Sequence, residues 1–247
     1  MITGSKEGYV SRFRVKKGLN TLRFLASSKE SRKKSVNSLA LHPEHQNQLL
    51  VGTVAELGLW DLDSKTQLKV FEGAHSGPIS TAIFVTSSLF LSAGASAEDH
   101  SVTLWNCENE SEKFTFSATE PVQNTFAKAH TEGDGVSIGI VTKSGSLHYF
   151  EHNTNSRKKR AKAVGTIQIA AQDLSSPKNG KVVDKTPILI GRFDEKSLEF
   201  VHGSHTKPTF ETLEFDKIEK NTCLVRQPQS SSNHVEQING KSNLVVR

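Results

Sequence analysis

The chain has 247 residues, enough for one large domain or two small ones with a core of useful size. Its hydrophobic fraction of 35% is low for a two-layer α/β enzyme and ordinary for an all-β protein with many exposed loops, and no window approaches the roughly 18 uninterrupted apolar residues of a membrane helix. The net charge of +5 is uneven: residues 1–34 hold ten Lys/Arg against two Glu, and the remainder is slightly acidic.

Taken in chain order, the predicted elements repeat. Val10-Ser11-Arg12-Phe13-Arg14-Val15 alternates around an aromatic, and Phe24 follows eleven residues later within 22–26. Alternation of period two then predicts strands over Val36–Leu41 and Gln48–Thr53. These lead to Leu57-Gly58-Leu59-Trp60-Asp61-Leu62, with Phe71 again eleven residues on, in 69–73. Strands over 78–85 and 89–93 lead to Val102-Thr103-Leu104-Trp105-Asn106-Cys107, with Phe116 eleven residues on, in 113–118. Strands over 122–127 and 136–142 lead to Leu147-His148-Tyr149-Phe150-Glu151. The aromatic landmarks are therefore spaced 47, 45 and 45 residues apart, the period of a four-stranded propeller blade. A less regular blade follows over 187–193, 197–202 and 209–215. The seven prolines fall at or near predicted strand ends or in loops, as central ladders require.

One step breaks the rhythm. The outer strand after Phe150 is Thr166-Ile167-Gln168-Ile169-Ala170-Ala171, nineteen residues on instead of eleven. The added residues hold Arg157, Lys158, Lys159, Arg160 and Lys162. This basic run is read as an insertion in a hairpin loop, where insertions are tolerated and binding is often carried. A polyanion such as RNA, a nuclear import receptor and plain solvent are its three candidate partners.

Within the Trp105 repeat, His75 precedes the first strand, Ser92 lies in the second, Asp99 in the turn before the third, and Trp105 in the third. Residues in that order can form one buried hydrogen-bond chain, Asp to His to Ser to the indole N–H, whose role is structural because buried polar groups must be paired. In the Trp60 repeat Thr53 and Glu56 stand in for the Ser and Asp. Adjacent Asp99-His100-Ser101 do not make a catalytic set, since neighbouring strand residues face opposite ways. Gly135-Val136-Ser137-Ile138-Gly139 has the letters of a hydrolase nucleophile elbow, yet the strand pattern continues where that motif needs a turn and a helix. No phosphate-binding glycine motif occurs, so no nucleotide or other cofactor is expected. His42 and His45 have ligand spacing without a completing set, and Cys107 and Cys223 lie far apart, arguing against a zinc site or a disulfide framework. With no secretory signal in Met1-Ile2-Thr3-Gly4-Ser5, the expectation is a soluble intracellular protein that is not an enzyme.

The Trp60-Asp61 and Trp105-Asn106 pairs, with the His75, Ser92, Asp99 and Trp105 set, resemble WD repeats. A narrower resemblance follows from Leu147-His148-Tyr149-Phe150-Glu151-His152, Thr166-Ile167-Gln168-Ile169-Ala170, Pro187-Ile188-Leu189 with Gly191-Arg192-Phe193, Gly203-Ser204 with Lys207-Pro208-Thr209, and Cys223-Leu224-Val225-Arg226. This series is similar to nucleolar WD-repeat proteins of the UtpA (transcription-associated Utp) subcomplex of the small-subunit processome. The resemblance implies an all-β WD-repeat β-propeller, here incomplete, with about four blades plus part of another over 1–226; the segment 227–247, rich in Ser, Asn and Gln, is expected to be a flexible tail. Family members have a complete propeller and a C-terminal helical oligomerisation domain, so open sheet edges are expected near residues 10–15 and in the last blade. It also implies a nuclear, nucleolar scaffold whose partners are other propeller subunits and, directly or indirectly, pre-rRNA, with no membrane and no small-molecule substrate. A generic WD-repeat adaptor of a ubiquitin ligase or chromatin complex is the alternative.

Overall fold

The computed structural model describes residues 1–14, 19–25, 34–54, 56–96, 98–118, 120–131, 133–154, 165–170, 185–186, 188–194, 197–204, 207–214, 222–226, 235–238 and 243–246. The all-β expectation holds: every regular element among these residues is a strand, and no helix is long and apolar enough to cross a membrane. The chain divides into two compact units, one built on Met1–Gln123 and the other on Asn124–Ser156 with Ala161–Arg247.

The first unit contains three sheets of sequential antiparallel strands. They are β1 (Ile2–Gly4), β2 (Tyr9–Arg14) and β3 (Leu19–Leu25); then β4 (Val36–Leu41), β5 (Gln48–Thr53), β6 (Leu57–Asp61) and β7 (Thr66–Val70); then β8 (Ile79–Phe84), β9 (Leu89–Gly94), β10 (Ser101–Asn106) and β11 (Ser111–Ser117). Each landmark aromatic lies at the same register point. Phe13, Trp60 and Trp105 each follow a β-bulge in the pairing with the next strand, at Arg12/Phe13, Leu59/Trp60 and Leu104/Trp105. A bulge adds one residue, bends its strand and sharpens the twist. A further bulge recurs between the first and second strands, at Val36/Ser38 and Ile79/Thr81.

The eleven-residue step has a packing reason. Phe24 of the first sheet meets Trp60 of the second at 5.2 Å between ring centroids, and Phe71 meets Trp105 of the third at 5.7 Å. Phe24 and Phe71 therefore each seat the next sheet's tryptophan. Alternation in β5 does the rest. Leu49 and Val51 join Val10, Phe24 and Trp60 on one face, whereas Leu50 joins Leu57, Leu59, Ile79 and Phe90 on the other. Both faces of the second sheet are thus core, and each fully buried leucine contributes ~1.5–3 kcal/mol. Close approach of the second and third sheets needs Gly52, where a Cβ would lie 2.9 Å from the Ile79 side chain. Ser38 adds a polar tie: its hydroxyl accepts the Ala82 N–H at 2.7 Å and donates to the Ala82 carbonyl at 3.2 Å.

In the second unit, β12 (Val122–Ala129), β13 (Gly135–Thr142), β14 (Leu147–Asn153) and β15 (Gly165–Ala170) form a blade-like sheet, with the short β16 (Lys185–Thr186) on β15. Strands β17 (Ile188–Phe193), β18 (Ser197–Ser204) and β19 (Lys207–Glu214) form another. Phe126, Tyr149, Ile188, Leu198 and Phe200 share their core, with Phe193 packed 4.9 Å from the Phe126 ring. Beyond β15 the fourth sheet continues through β20 (Thr222–Arg226), β22 (Asn243–Val246) and β21 (Val235–Ile238). Two strands therefore form within 227–247, where composition predicts a flexible tail. Val235 and Ile238, and the run Leu244-Val245-Val246, supply local β-propensity that the surrounding Ser, Asn and Gln mask in an average over the segment.

Candidate functional site

Four side chains from four places in the third sheet converge. His75 stands before β8, Ser92 on β9, Asp99 in the turn into β10 and Trp105 on β10. The His75 ring lies between an Asp99 carboxylate oxygen, 3.1 Å from Nδ1, and the Ser92 hydroxyl, 2.8 Å from Nε2. The Trp105 indole N–H donates to the same hydroxyl at 2.9 Å. One neutral proton arrangement satisfies all of them: Ser92 accepts from Trp105 and donates to Nε2, leaving Nδ1–H for Asp99. Asp99 also accepts the backbone N–H of Ser76 at 2.8 Å and of Ser101 at 3.0 Å. Burial pushes its carboxyl up, but the Ser101 hydroxyl and N–H, the Ser76 N–H and the nearby His75 outweigh this and hold it below the usual carboxylate range.

The order Asp–His–Ser is that of a hydrolytic triad, yet its surroundings oppose attack. Ser92 is 0% exposed, and its oxygen is already occupied by the indole N–H. A nucleophile must reach its substrate. What the arrangement does instead is tie the approach to β8, the middle of β9, the turn before β10 and the far end of β10 into one register.

Sequence reasoning missed two members. Ser76 enters through its backbone, which no side-chain pattern can reveal. Ser101 was paired in sequence with His100, but its hydroxyl lies 3.1 Å from His75 Nδ1 and also donates to Asp99. The turn brings residues 99 and 101 to one side, and the short Asp-x-Ser interval was the available signal.

In the second sheet Thr53 does not stand in for Ser92: Val51 holds that register position, and Thr53 lies two residues on, at the turn. Thr53 accepts the Glu56 N–H at 3.2 Å and donates to its carbonyl at 3.1 Å, closing the turn on itself, and the Glu56 carboxylate takes the Gln67 amide at 2.9 Å. In the fourth sheet, Thr142 and Ser146 close the turn, with the Ser146 N–H donated to the Thr142 hydroxyl at 3.3 Å. Ser137 lies on the unbroken β13, buried, with His130 Nε2 at 2.8 Å. Tyr149 donates to Glu151 there, and burial followed by the Glu151 contact raises its hydroxyl far above the ordinary tyrosine range.

His42 is a backbone cap. Its buried Nδ1 accepts the N–H groups of Glu44 at 3.2 Å and His45 at 3.1 Å, and burial followed by the neighbouring His45 lowers its pKa. Among the described residues no group of three or more His, Cys, Asp or Glu could hold a metal. Cys107 is buried, and burial raises its thiol pKa. The basic run Arg157, Lys158, Lys159, Arg160 and Lys162 lies outside the described residues.

A chain in the crystal structure of the mitotic checkpoint complex superposes with a TM-score of 0.60 over 86% of this chain, at 14% sequence identity. The fold is that of a WD-repeat β-propeller. It is an incomplete one: the sheets β1–β3 and β17–β19 have three described strands where a full blade has four. The chain covers 58% of that solved chain. No family model matches. Human WD repeat-containing protein 43 is 29% identical over 213 residues, 78% of this chain. The chain spans 30% of the length of the curated relative it matches.

Proposed function

We propose that this WD-repeat protein is a non-enzymatic scaffold of ribosome biogenesis, acting in small-subunit processome assembly and in pre-rRNA transcription and processing. The observation that carries the reading is the likeness, over 213 residues, to human WD repeat-containing protein 43. The motif series from Leu147 to Arg226 supports it through its resemblance to UtpA WD-repeat proteins. In this reading the protein works in the nucleolus and needs no cofactor. Its sheets, held by buried contacts, present loops to neighbouring propeller subunits. The His75–Ser92–Asp99–Trp105 set keeps one blade in register. The basic residues Arg157, Lys158, Lys159, Arg160 and Lys162 meet pre-rRNA phosphates or an import receptor.

Purification from cells tests this directly. Expected are nucleolar propeller proteins and pre-rRNA together, with RNA affinity falling steeply as salt rises, because phosphate contacts release counterions. Co-purification of ubiquitin-ligase or chromatin subunits, without pre-rRNA, would move the protein to the general adaptor class. Replacing the five basic residues by Gln separates the two roles of that run: lost nuclear accumulation marks import, and weaker RNA binding with unchanged localisation marks phosphate contact.

A further inference from the structure

The second and third sheets each have four strands, and the sheet ending in β19 has three. Strand β19 pairs with β18 along its length, from Ser204 opposite Lys207 to Ser197 opposite Glu214. Among the described residues nothing pairs with its other edge. One face of this sheet is closed by Leu198, Phe200 and Leu213. The opposite face is open. Ile190 is 50% and Phe210 79% exposed, and with Val201 and the Arg192–Glu199 ion pair they line a concavity of about 470 Å³. An apolar face beside an unpaired edge is a template for another strand.

The chain carries a segment suited to it. Seven residues after β19 comes β20, Thr222-Cys223-Leu224-Val225-Arg226, rich in β-branched and apolar side chains. Here β20 runs parallel to β15, with Thr166 opposite Cys223 and Ile167 opposite Leu224. From β1 to β19, every pairing described is antiparallel. Parallel pairing is somewhat weaker per residue, and chain neighbours joined by short links ordinarily pair back on each other.

We infer that Thr222–Arg226 has two docking places, the outer edge of β15 seen here and the outer edge of β19, where it runs antiparallel as a fourth strand beside Phe210. In the second place it pairs the open backbone of β19 and shades the apolar face. The segment is thus an exchangeable strand, and its residence on β15 leaves the β19 edge free.

Cys223 makes the inference testable. With Cys107 replaced by Ser, Cys223 is the one remaining native thiol. Thr166→Cys reports the β15 place, and separate proteins with Thr212→Cys, Leu213→Cys or Glu214→Cys report the β19 place. After mild oxidation, peptide mapping without reductant measures disulfides to Cys223. Expected is a monomeric cross-link from Thr166→Cys and from at least one β19 protein, each about ten-fold above a Lys65→Cys control, since cysteines more than ~7 Å apart between Cα atoms do not bridge. A Thr166→Cys cross-link with all three β19 proteins at the control level would overturn the inference. So would β19 cross-links found only in dimers, which would make the occupant a second copy's strand. Hydrogen exchange keeps the test independent of engineered thiols. Val225→Pro, which removes a ladder donor, should speed exchange of the β19 amides by about ten-fold. Unchanged β19 exchange would also overturn it.

Discussion

The second and third sheets share strand order, the placement of both bulges and a tryptophan at one register point, but they hold that tryptophan by different means. Trp105 is held by rings and by a hydrogen bond: it packs against Phe71 and Phe90 and donates to Ser92. Trp60 packs against Phe24, and the register position of Ser92 is held by Val51, while Thr53, two residues on, turns its hydroxyl onto Glu56. Both sheets are formed and both tryptophans are buried. The polar relay is therefore an addition to a register that bulge, turn and ring packing already define. It fastens the third sheet more firmly without being a condition of the architecture.

Breaking the packing should cost most in either sheet. Trp105→Ala is expected to lose about 3–5 kcal/mol in urea unfolding, from lost ring contacts and a cavity. Trp60→Ala should fall in the same range, and a loss below about 1 kcal/mol there would show that the sheets are not equivalent in packing. The comparison sharpens at the hydroxyl. Ser92→Ala leaves two buried groups without a partner and should cost about 1–3 kcal/mol, whereas Thr53→Ala, in a turn with backbone closure, should cost about 1 kcal/mol or less. Equal losses at the two positions would erase the distinction between them.

Acid should separate the sheets next. The Asp99 carboxyl is held below its ordinary range in the folded state. Its stabilisation is accordingly complete above the unfolded value, near pH 4, and is lost as pH falls through the lower folded value. The stability difference between the native protein and Asp99→Asn, about 1 kcal/mol at neutral pH, should vanish on acidification below that range. A difference that persists to the lowest pH at which the protein folds would mean that carboxylate charge is not what the relay uses.

The smallest effect lies in a feature the sheets share. Lys65 and Glu110, each five residues after its tryptophan, have φ of 61° and 57°. A non-glycine residue there is strained. Lys65→Gly should therefore raise stability by about 0.5–1 kcal/mol, read as a higher Tm. No change would imply that the Asp61 carboxylate, which accepts the Ser64 N–H at 2.7 Å, already compensates the turn.

Much of this was legible in the sequence because ring size and period are local signals. Phe13, Trp60, Trp105 and Phe150 lie on the strands β2, β6, β10 and β14 that alternation predicts, and Phe24, Phe71 and Phe116 lie on, or one residue beyond, the outer strands. The partner of each phenylalanine was not legible, since Phe24 and Trp60 meet across two sheets and alternation speaks only within one strand. The bulges were invisible for the same reason: an extra residue shows only when two strands are laid side by side. At the relay, the four named side chains could be read from their order, but Ser76 contributes through its backbone and Ser101 through the shape of a turn. The placement of β20 on β15 could not be foreseen, because local pattern gives a strand its propensity and not its neighbour.

The bulge before Phe13, Trp60 and Trp105 has an evolutionary consequence. It offsets the outer strand by one residue, so Phe24 and Phe71, eleven positions after Phe13 and Trp60, face the next sheet rather than solvent. What is inherited from repeat to repeat is then a phase. The letter at the landmark can drift from tryptophan to phenylalanine, and the polar relay can decay, while the stack persists. Deletion of a single bulge residue, Leu68 or Lys113, would be a different kind of event: it would invert every side chain beyond it and uncouple two neighbouring blades at once. Substitutions in such a chain are spelling changes, and single-residue indels in the outer strands are frameshifts of the fold.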